Sequence, residues 1–331
     1  MVGSAEGKRK SFLSPANWGD IEKHLEPLLK DRRFNIEIVE HDIIDSSNVK
    51  ISHWIDLSQE IEKNYRQFSG FIIIHGTDTM AYTASALSFL LENISKPVIL
   101  TGSQLPLSTV RTDAIQNLAG ALMLTLHNNF QTPIIPEVCI FFNNILFRGN
   151  RTRKVSAYDF HAFSSPNYPT IGSFSKHFEL NQRYARLKTS NKVILHETMD
   201  SNVLMCEVYP GMPIAFLRSI FAIERLKGVI LKTYGAGNTP SDDDFLMLID
   251  EAVNQTGLVI CNVTQCMRGS VDMQVYGTGS ELQKTGVICG FDMTPEAAFT
   301  KMQFLFGCGY DKVTVESLMQ KNLRGELTEQ S

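Results

Sequence analysis

The sequence predicts an α/β protein, with a larger N-terminal domain on a mostly parallel sheet and a smaller C-terminal α/β domain. Three observations carry this. Short apolar runs, among them Phe71–Ile74, Pro97–Leu100 and Val138–Phe142, alternate with stretches of helical periodicity. Runs end in small polar clusters, such as His75-Gly76-Thr77-Asp78-Thr79 and Thr101-Gly102-Ser103-Gln104. The same pattern restarts after Val208-Tyr209-Pro210-Gly211. At roughly 150 residues per domain, a chain of 331 accommodates two, expected over residues 1–200 and 213–331.

Taken in order, Asn17 is expected to cap a helix to about Leu29, with Ile21, Leu25, Leu28 and Leu29 on one face. Phe34–Val39 alternates like a half-buried strand and leads into the polar loop Asp45-Ser46-Ser47-Asn48. A helix over 51–68 carries Trp54, Leu57, Ile61 and Tyr65 at helical spacing, and another is expected over 80–91. Asp113–Leu126 reads as a helix with Ile115, Leu118, Leu122 and Thr125 near one face. Residues 143–195 read as irregular, with an unusually basic stretch from Arg148 to Lys154. In the second half, strands are expected at Gly228–Leu231, Leu258–Cys261 and Val287–Ile288. One helix begins near Ser241, and another is capped by Thr294 with Pro295 at its first position.

Composition narrows the function. The balance of 31 basic and 35 acidic side chains leaves a formal charge of −4, which gives no footprint for nucleic acid or an anionic membrane. No apolar run approaches the ~20 residues of a membrane span, and no apolar segment follows the basic N-terminal residues as a secretory signal requires. The six cysteines form no CxxC, which points to reduced thiols in the cytoplasm. The eight histidines show no metal spacing.

The chemistry lies at the strand ends. In an open α/β sheet, ligands bind in the crevice at the carboxyl edge. Thr77 and Asp78 fall there, with Asp45–Asn48 and Thr101–Gln104 as expected neighbours. A Thr or Asp in this position also serves as a helix cap, but one cap does not need Gly76, Thr77, Asp78 and Thr79 together. Lys154 reads as a solvated surface charge or as the group that polarises a Thr hydroxyl in the cleft. Cys266 reads as structural, since free cysteine is usually buried. Gly235-x-Gly237-Asn238 is only half a dinucleotide fingerprint.

Read as strings, these segments resemble the bacterial-type asparaginase/glutaminase family, in its cytoplasmic type I branch. GFIIIHGTDTM at 70–80 resembles the family's second signature. DSSN at 45–48, ILTGSQLP at 99–106, LFRGNRTRKV at 146–155, YGAGN at 234–238, VTQCMRG at 263–269, GFDMTPEA at 290–297 and LRGEL at 323–327 extend the likeness over about residues 34–328. The resemblance implies hydrolysis of L-asparagine, and to some degree L-glutamine, to the acid and ammonia. It implies no metal or organic cofactor, and a homotetramer built as a dimer of dimers.

Carried over by residue, Asp45, Ser46 and Ser47 match the loop holding the substrate's α-carboxylate and α-amino groups, and Asp78 also binds the amino group. Thr77 matches the second catalytic threonine and Lys154 the lysine supporting it. Asn238 matches a position near the adjoining subunit's site. Lys232, Thr264 and Cys266 match an allosteric asparagine site, with lysine standing where the family has an arginine and so without the arginine's bidentate fork. The family's amidotransferase branch carries an extra N-terminal barrel for which the chain has no room.

One departure stands out. The family's TGGTIG string, whose first threonine is the acyl-accepting nucleophile, is nowhere in the sequence. Met1 aligns with the methionine that follows it, and Phe12 takes the place of a lid tyrosine. The expectation is a chain lacking the first strand and of little activity, as a shortened gene product or splice form. The alternatives are a non-catalytic homologue that binds asparagine or aspartate or assembles with a full-length subunit, and an enzyme using Thr77 alone.

Overall fold

The computed structural model describes residues 2–4, 13–15, 26, 36–39, 44–126, 134–188, 192–273 and 277–329. The chain divides into two compact units, Met1–Ser165 with Pro169–Leu195, and Pro166–Tyr168 with His196–Ser331.

In the first unit, β1 (Val2–Ser4) and β2 (Leu13–Pro15) pair antiparallel. The helix expected over 17–29 lies outside the described residues apart from Glu26, which is helical. The strand expected at Phe34–Val39 is corrected over its described part: Phe34 and Asn35 lie outside the described residues, and residues 36–39 pair with no strand, although Ile36 packs against the cluster of Leu107, Ala114, Leu118 and Leu122. Alternation of side chains chooses faces, but a strand also needs a hydrogen-bonding neighbour. The helix α1 (Ile51–Asn64) buries Trp54, Ile61 and, just past its end, Tyr65. Lys96 closes that end, donating from Nζ to the carbonyls of Tyr65 and Phe68.

Then follow β3 (Phe71–Ile74), α2 (Met80–Leu90), β4 (Leu91–Glu92), β5 (Val98–Thr101), α3 (Ala114–Thr125) and β6 (Val138–Phe142). Strands β3, β5 and β6 run parallel in register Phe71↔Val98 and Val98↔Val138. Beyond β6 the sheet turns antiparallel through β7 (Ile145–Arg148), correcting the uniformly irregular reading of 143–195. Asn143 and Asn144 make that hairpin possible, at φ 48° and 65°, because asparagine tolerates the left-handed region. Two short strands, β8 (Arg153–Lys154) and β9 (Phe163–Ser164), pair with each other. β10 (Gly172–Phe174) and β11 (Phe178–Leu180) complete the six-stranded order β11-β10-β7-β6-β5-β3, and β12 (Ile194–Leu195) pairs with β4.

Both faces of this sheet are covered. One packs Phe71, Ile73, Leu100, Ile140 and Phe142 against α1 and α2, and the other sets Ile99, Cys139 and Phe141 beneath Ala121 and Leu124 of α3. Ile115 is exposed, unlike its expected companions Leu118 and Leu122. β5 and β6 are wholly buried, whereas β3 ends the sheet among the described residues and all four of its residues are half-buried. An all-apolar run such as FIII suits a strand with neighbours on both sides, so its outer edge is unusually apolar for an edge.

The second unit is a four-stranded parallel sheet, β13 (Val203–Glu207), β14 (Gly228–Thr233), β15 (Val259–Thr264) and β16 (Ile288–Cys289), in that order. Its helices are α4 (Ile214–Phe221), α5 (Asp243–Asp250), α6 (Gly277–Lys284), α7 (Pro295–Gly307) and α8 (Lys312–Met319). Asp242 and Thr294 cap α5 and α7 by accepting from the Phe245 and Ala297 amides, as their positions before helical runs predict. In this unit's core, Lys301 Nζ meets Glu326 Oε1 at 2.6 Å with both side chains 0% exposed. The Glu326 carboxylate also accepts the Leu323 and Arg324 amides, and Lys301 donates to the carbonyls of Met319 and Lys321. The LRGEL string is thus a structural clasp.

Candidate active site

The site is assembled by two strand ends that approach unusually closely. A Cβ on Gly102, just past β5, would lie 2.2 Å from the His75 carbonyl oxygen, just past β3, so only glycine allows that approach. Gly76 has a similar constraint: a Cβ there would lie 2.6 Å from Ser46 Oγ. The first brings the TGSQ loop against Thr77, and the second brings in the DSSN loop. The Thr79 hydroxyl donates to the Ser46 carbonyl at 2.7 Å and ties the DSSN loop down.

Lys154 lies at the centre of the cluster. Its Nζ donates to Thr77 Oγ1 at 2.8 Å and to Asp78 Oδ1 at 2.7 Å. The lysine side chain is 19% exposed and the aspartate 65%, so the ammonium is screened while the carboxylate faces solvent. Lys154 is carried by β8, anchored through β9 and a buried turn in which Arg151 is 1% exposed. Arg148, which opens the basic stretch, is spent on a buried ion pair with Glu137 at 2.6 Å. The Thr77 hydroxyl in turn donates to Gln104 Oε1 at 3.2 Å.

Asp45 caps a short 3-10 turn, Ser46–Asn48, through the Ser47 amide at 2.9 Å and the Ser47 hydroxyl at 2.8 Å. Those two donors, the amide first, hold its carboxyl below the ordinary carboxylate value. Ser46 is buried and Ser47 exposed. The first unit therefore brings Asp45, Ser46, Ser47, Thr77, Asp78 and Lys154 to one edge of the sheet.

Behind the site runs a relay of side chains that the sequence did not disclose. Trp54 Nε1 donates to Thr83 Oγ1 at 2.9 Å, Thr83 Oγ1 lies 2.8 Å from His75 Nε2, and His75 Nδ1 lies 2.6 Å from the Gly76 carbonyl. A carbonyl only accepts, so Nδ1 carries the proton, and Nε2 accepts the Thr83 hydroxyl. Burial drives the His75 pKa from 6.5 down to about 4, which keeps it neutral. His75 thus fixes the backbone at Gly76 and is not a base for the site. The signal was present in the sequence, as a His–Thr pair spaced eight apart, but nothing in a single chain marks such a pair.

The other expected residues lie in the second unit. Asn238 closes a tight turn by bridging to Tyr234. Thr264 donates to the Gly235 carbonyl at 2.6 Å and accepts the Cys266 amide at 3.0 Å. Lys232 forms an ion pair with Glu207, so its charge is already partnered. Cys266 is exposed, which corrects its reading as a buried structural cysteine, while Cys139, Cys206, Cys261 and Cys289 are buried.

Comparisons with known proteins identify the family. Residues 2–186 match the family profile described as asparaginase, N-terminal, and residues 202–319 match the glutaminase/asparaginase C-terminal domain. The chain belongs to the asparaginase family. It is 43% identical over 286 residues to L-asparaginase 1 of Escherichia coli K12, covering 86% of this chain and 82% of that one. It is 41% identical over 307 residues to the 60 kDa lysophospholipase of Mus musculus, covering 92% of this chain and 53% of that protein. The chain therefore spans about half the length of that mammalian relative, and 49% of the L-asparaginase of Dirofilaria immitis. Among solved structures, L-asparaginase I of Vibrio cholerae superposes with a TM-score of 0.87 at 38% identity, covering 99% of this chain and 97% of that one. The L-asparaginase of Thermococcus kodakarensis gives 0.88 at 28%, covering 99% and 96%. The asparaginase fold, a large sheet unit with a smaller parallel-sheet unit, is the one found here.

Proposed function

We propose that the protein is an L-asparagine amidohydrolase, producing L-aspartate and ammonia. The observation that carries the reading is the Lys154 ammonium held between the Thr77 hydroxyl at 2.8 Å and the Asp78 carboxylate at 2.7 Å. Lys154 favours loss of the Thr77 proton, or of a proton from a bound water, by stabilising the negative charge that forms. Asp78, largely exposed, is placed to pair with the substrate's α-ammonium. The DSSN turn, through Asp45, Ser46 and Ser47, is placed to hold the α-ammonium and α-carboxylate. Asn238 of an adjoining subunit completes the site in a homotetramer, and six scattered cysteines with no CxxC among them support a reduced, cytoplasmic setting.

A second reading, a homologue that binds asparagine or aspartate without hydrolysing it, is supported by the exposed Asp78 carboxylate, which serves binding whether or not hydrolysis follows. Lys232, Thr264 and Cys266 form at most a weakened effector site, since Glu207 competes for the Lys232 charge. Calorimetric titration with L-asparagine, alongside ammonia release at high protein concentration, separates the readings. Saturable heat with ammonia supports the amidohydrolase and saturable heat alone supports the binder. Neither signal contradicts both.

A further inference from the structure

We propose that Gln104 is a positioning residue that holds the Thr77 hydroxyl proton away from Lys154 and couples Thr77 to the 156–159 turn. The proposal deepens the amidohydrolase reading, since it concerns the same threonine. Gln104 Oε1 accepts the Thr77 hydroxyl at 3.2 Å, and Gln104 Nε2 donates to the Asp159 carbonyl at 3.1 Å. The second bond decides the orientation of the amide. A flipped side chain would set its oxygen against the Asp159 carbonyl, two acceptors facing one another. The carboxamide oxygen must therefore face Thr77.

The rest follows from the valence of a threonine hydroxyl, one donor and two acceptor sites. Lys154 Nζ occupies one acceptor site at 2.8 Å. Gln104 takes the proton, leaving one lone pair free. A carboxamide is too weak a base to remove that proton, so Gln104 orients Thr77 and leaves proton transfer to other groups. Being uncharged, it does this at every pH. With Gln104 gone, the Asp78 carboxylate, bound to the same ammonium, offers the Thr77 hydroxyl an acceptor, and a hydroxyl turned that way would compete with Lys154.

The backbone beneath Gln104 is built to keep it there. Its amide donates to both Asp113 carboxylate oxygens at 3.0 Å, and the Leu105 amide adds a third bond at 3.1 Å. Asn117 on α3 donates to Asp113 at 3.0 Å and to the Gly102 carbonyl at 2.9 Å, and accepts the Asn143 amide at 2.9 Å. At the far end, the turn that Gln104 grips is closed by Ser156, whose Oγ accepts the Tyr158 and Asp159 amides at 3.1 and 2.9 Å. One neutral side chain thus links three loops at the sheet edge.

The test reads the Thr77 hydroxyl directly, with no substrate. Its proton exchange rate is measured by NMR from the hydrogen–deuterium isotope splitting of the Thr77 Cβ resonance. We expect slow exchange in the parent protein and in Gln104→Glu, which keeps an acceptor. In Gln104→Leu and Gln104→Met, which keep the bulk but no acceptor, exchange should rise at least about tenfold, the scale of one lost hydrogen bond. Amide exchange at Tyr158 and Asp159 should rise in all three variants, because each loses the donor to Asp159. Unprotected Thr77 exchange in the parent, or equal protection in Gln104→Leu and Gln104→Met, overturns the proposal. Two apolar variants guard against one failing to fold. Where asparagine is hydrolysed, Gln104→Leu should lower kcat at least about tenfold with KM little changed, as misorientation does. A parent protein that releases no ammonia defeats the amidohydrolase reading, while the hydroxyl exchange still decides the role of Gln104.

Discussion

Lys154 touches the two residues on which the functional reading depends, and removing it should be correspondingly costly. Lys154→Met keeps the aliphatic stem but no charge, so ammonia release should fall by about 10²–10³, with the fold preserved by circular dichroism. Its ion pair with a 65% exposed Asp78 contributes little to stability, and the melting temperature should barely move. His75 makes the opposite prediction, affecting stability more than chemistry. Its folded pKa of about 4 lies below the unfolded 6.5, so the unfolded chain takes up the proton first. The contribution is complete above pH 6.5 and is lost as pH falls toward 4, by about 3 kcal/mol in total. Denaturant midpoints across that range should show the loss, and His75→Gln should flatten it. Asp45, its pKa already below 3.8, adds its own acid loss mostly at lower pH.

At the scale of elements, the parallel half of the first unit was legible because FIII and VILT end at Gly-bearing polar clusters, which mark strand ends whatever packs on them. Lys154 was not placeable from pattern alone. The short pair β8–β9 that carries it has no periodicity, so the residues alone left it between a surface charge and a group in the cleft, and the family likeness chose. The strand expected at 34–39 failed for a related reason, since pairing depends on a neighbour that alternation does not reveal. Gly102 is the element-level feature most open to test. Its missing Cβ would sit 2.2 Å from the His75 carbonyl, backbone that cannot turn aside as a side chain can. Gly102→Ala should cost about 1–3 kcal/mol by denaturant unfolding and, by spreading the ends of β3 and β5, should also weaken asparagine binding.

Over the whole molecule, the restart of the strand–helix pattern marked the sequence's second half, yet α4, α6 and α8 went unread because their apolar spacing is brief. The buried Lys301–Glu326 pair holds the second unit's C-terminal segment, and burial alone would raise the Glu326 pKa. The Lys301 charge and the hydrogen bonds from Lys301, Leu323 and Arg324 outweigh this and hold it low. Glu326→Ala leaves a buried ammonium unpaired and should destabilise the second unit by about 3–5 kcal/mol in differential scanning calorimetry. The central claim, that Thr77 and Lys154 hydrolyse asparagine, is tested most directly by incubating the protein with amide-15N asparagine and following labelled ammonium by NMR. The account predicts release of labelled ammonium with one aspartate formed per ammonium, abolished in Thr77→Ala. Release at the parent rate from Thr77→Ala would contradict it, as would no release from the parent at protein concentrations that saturate with asparagine.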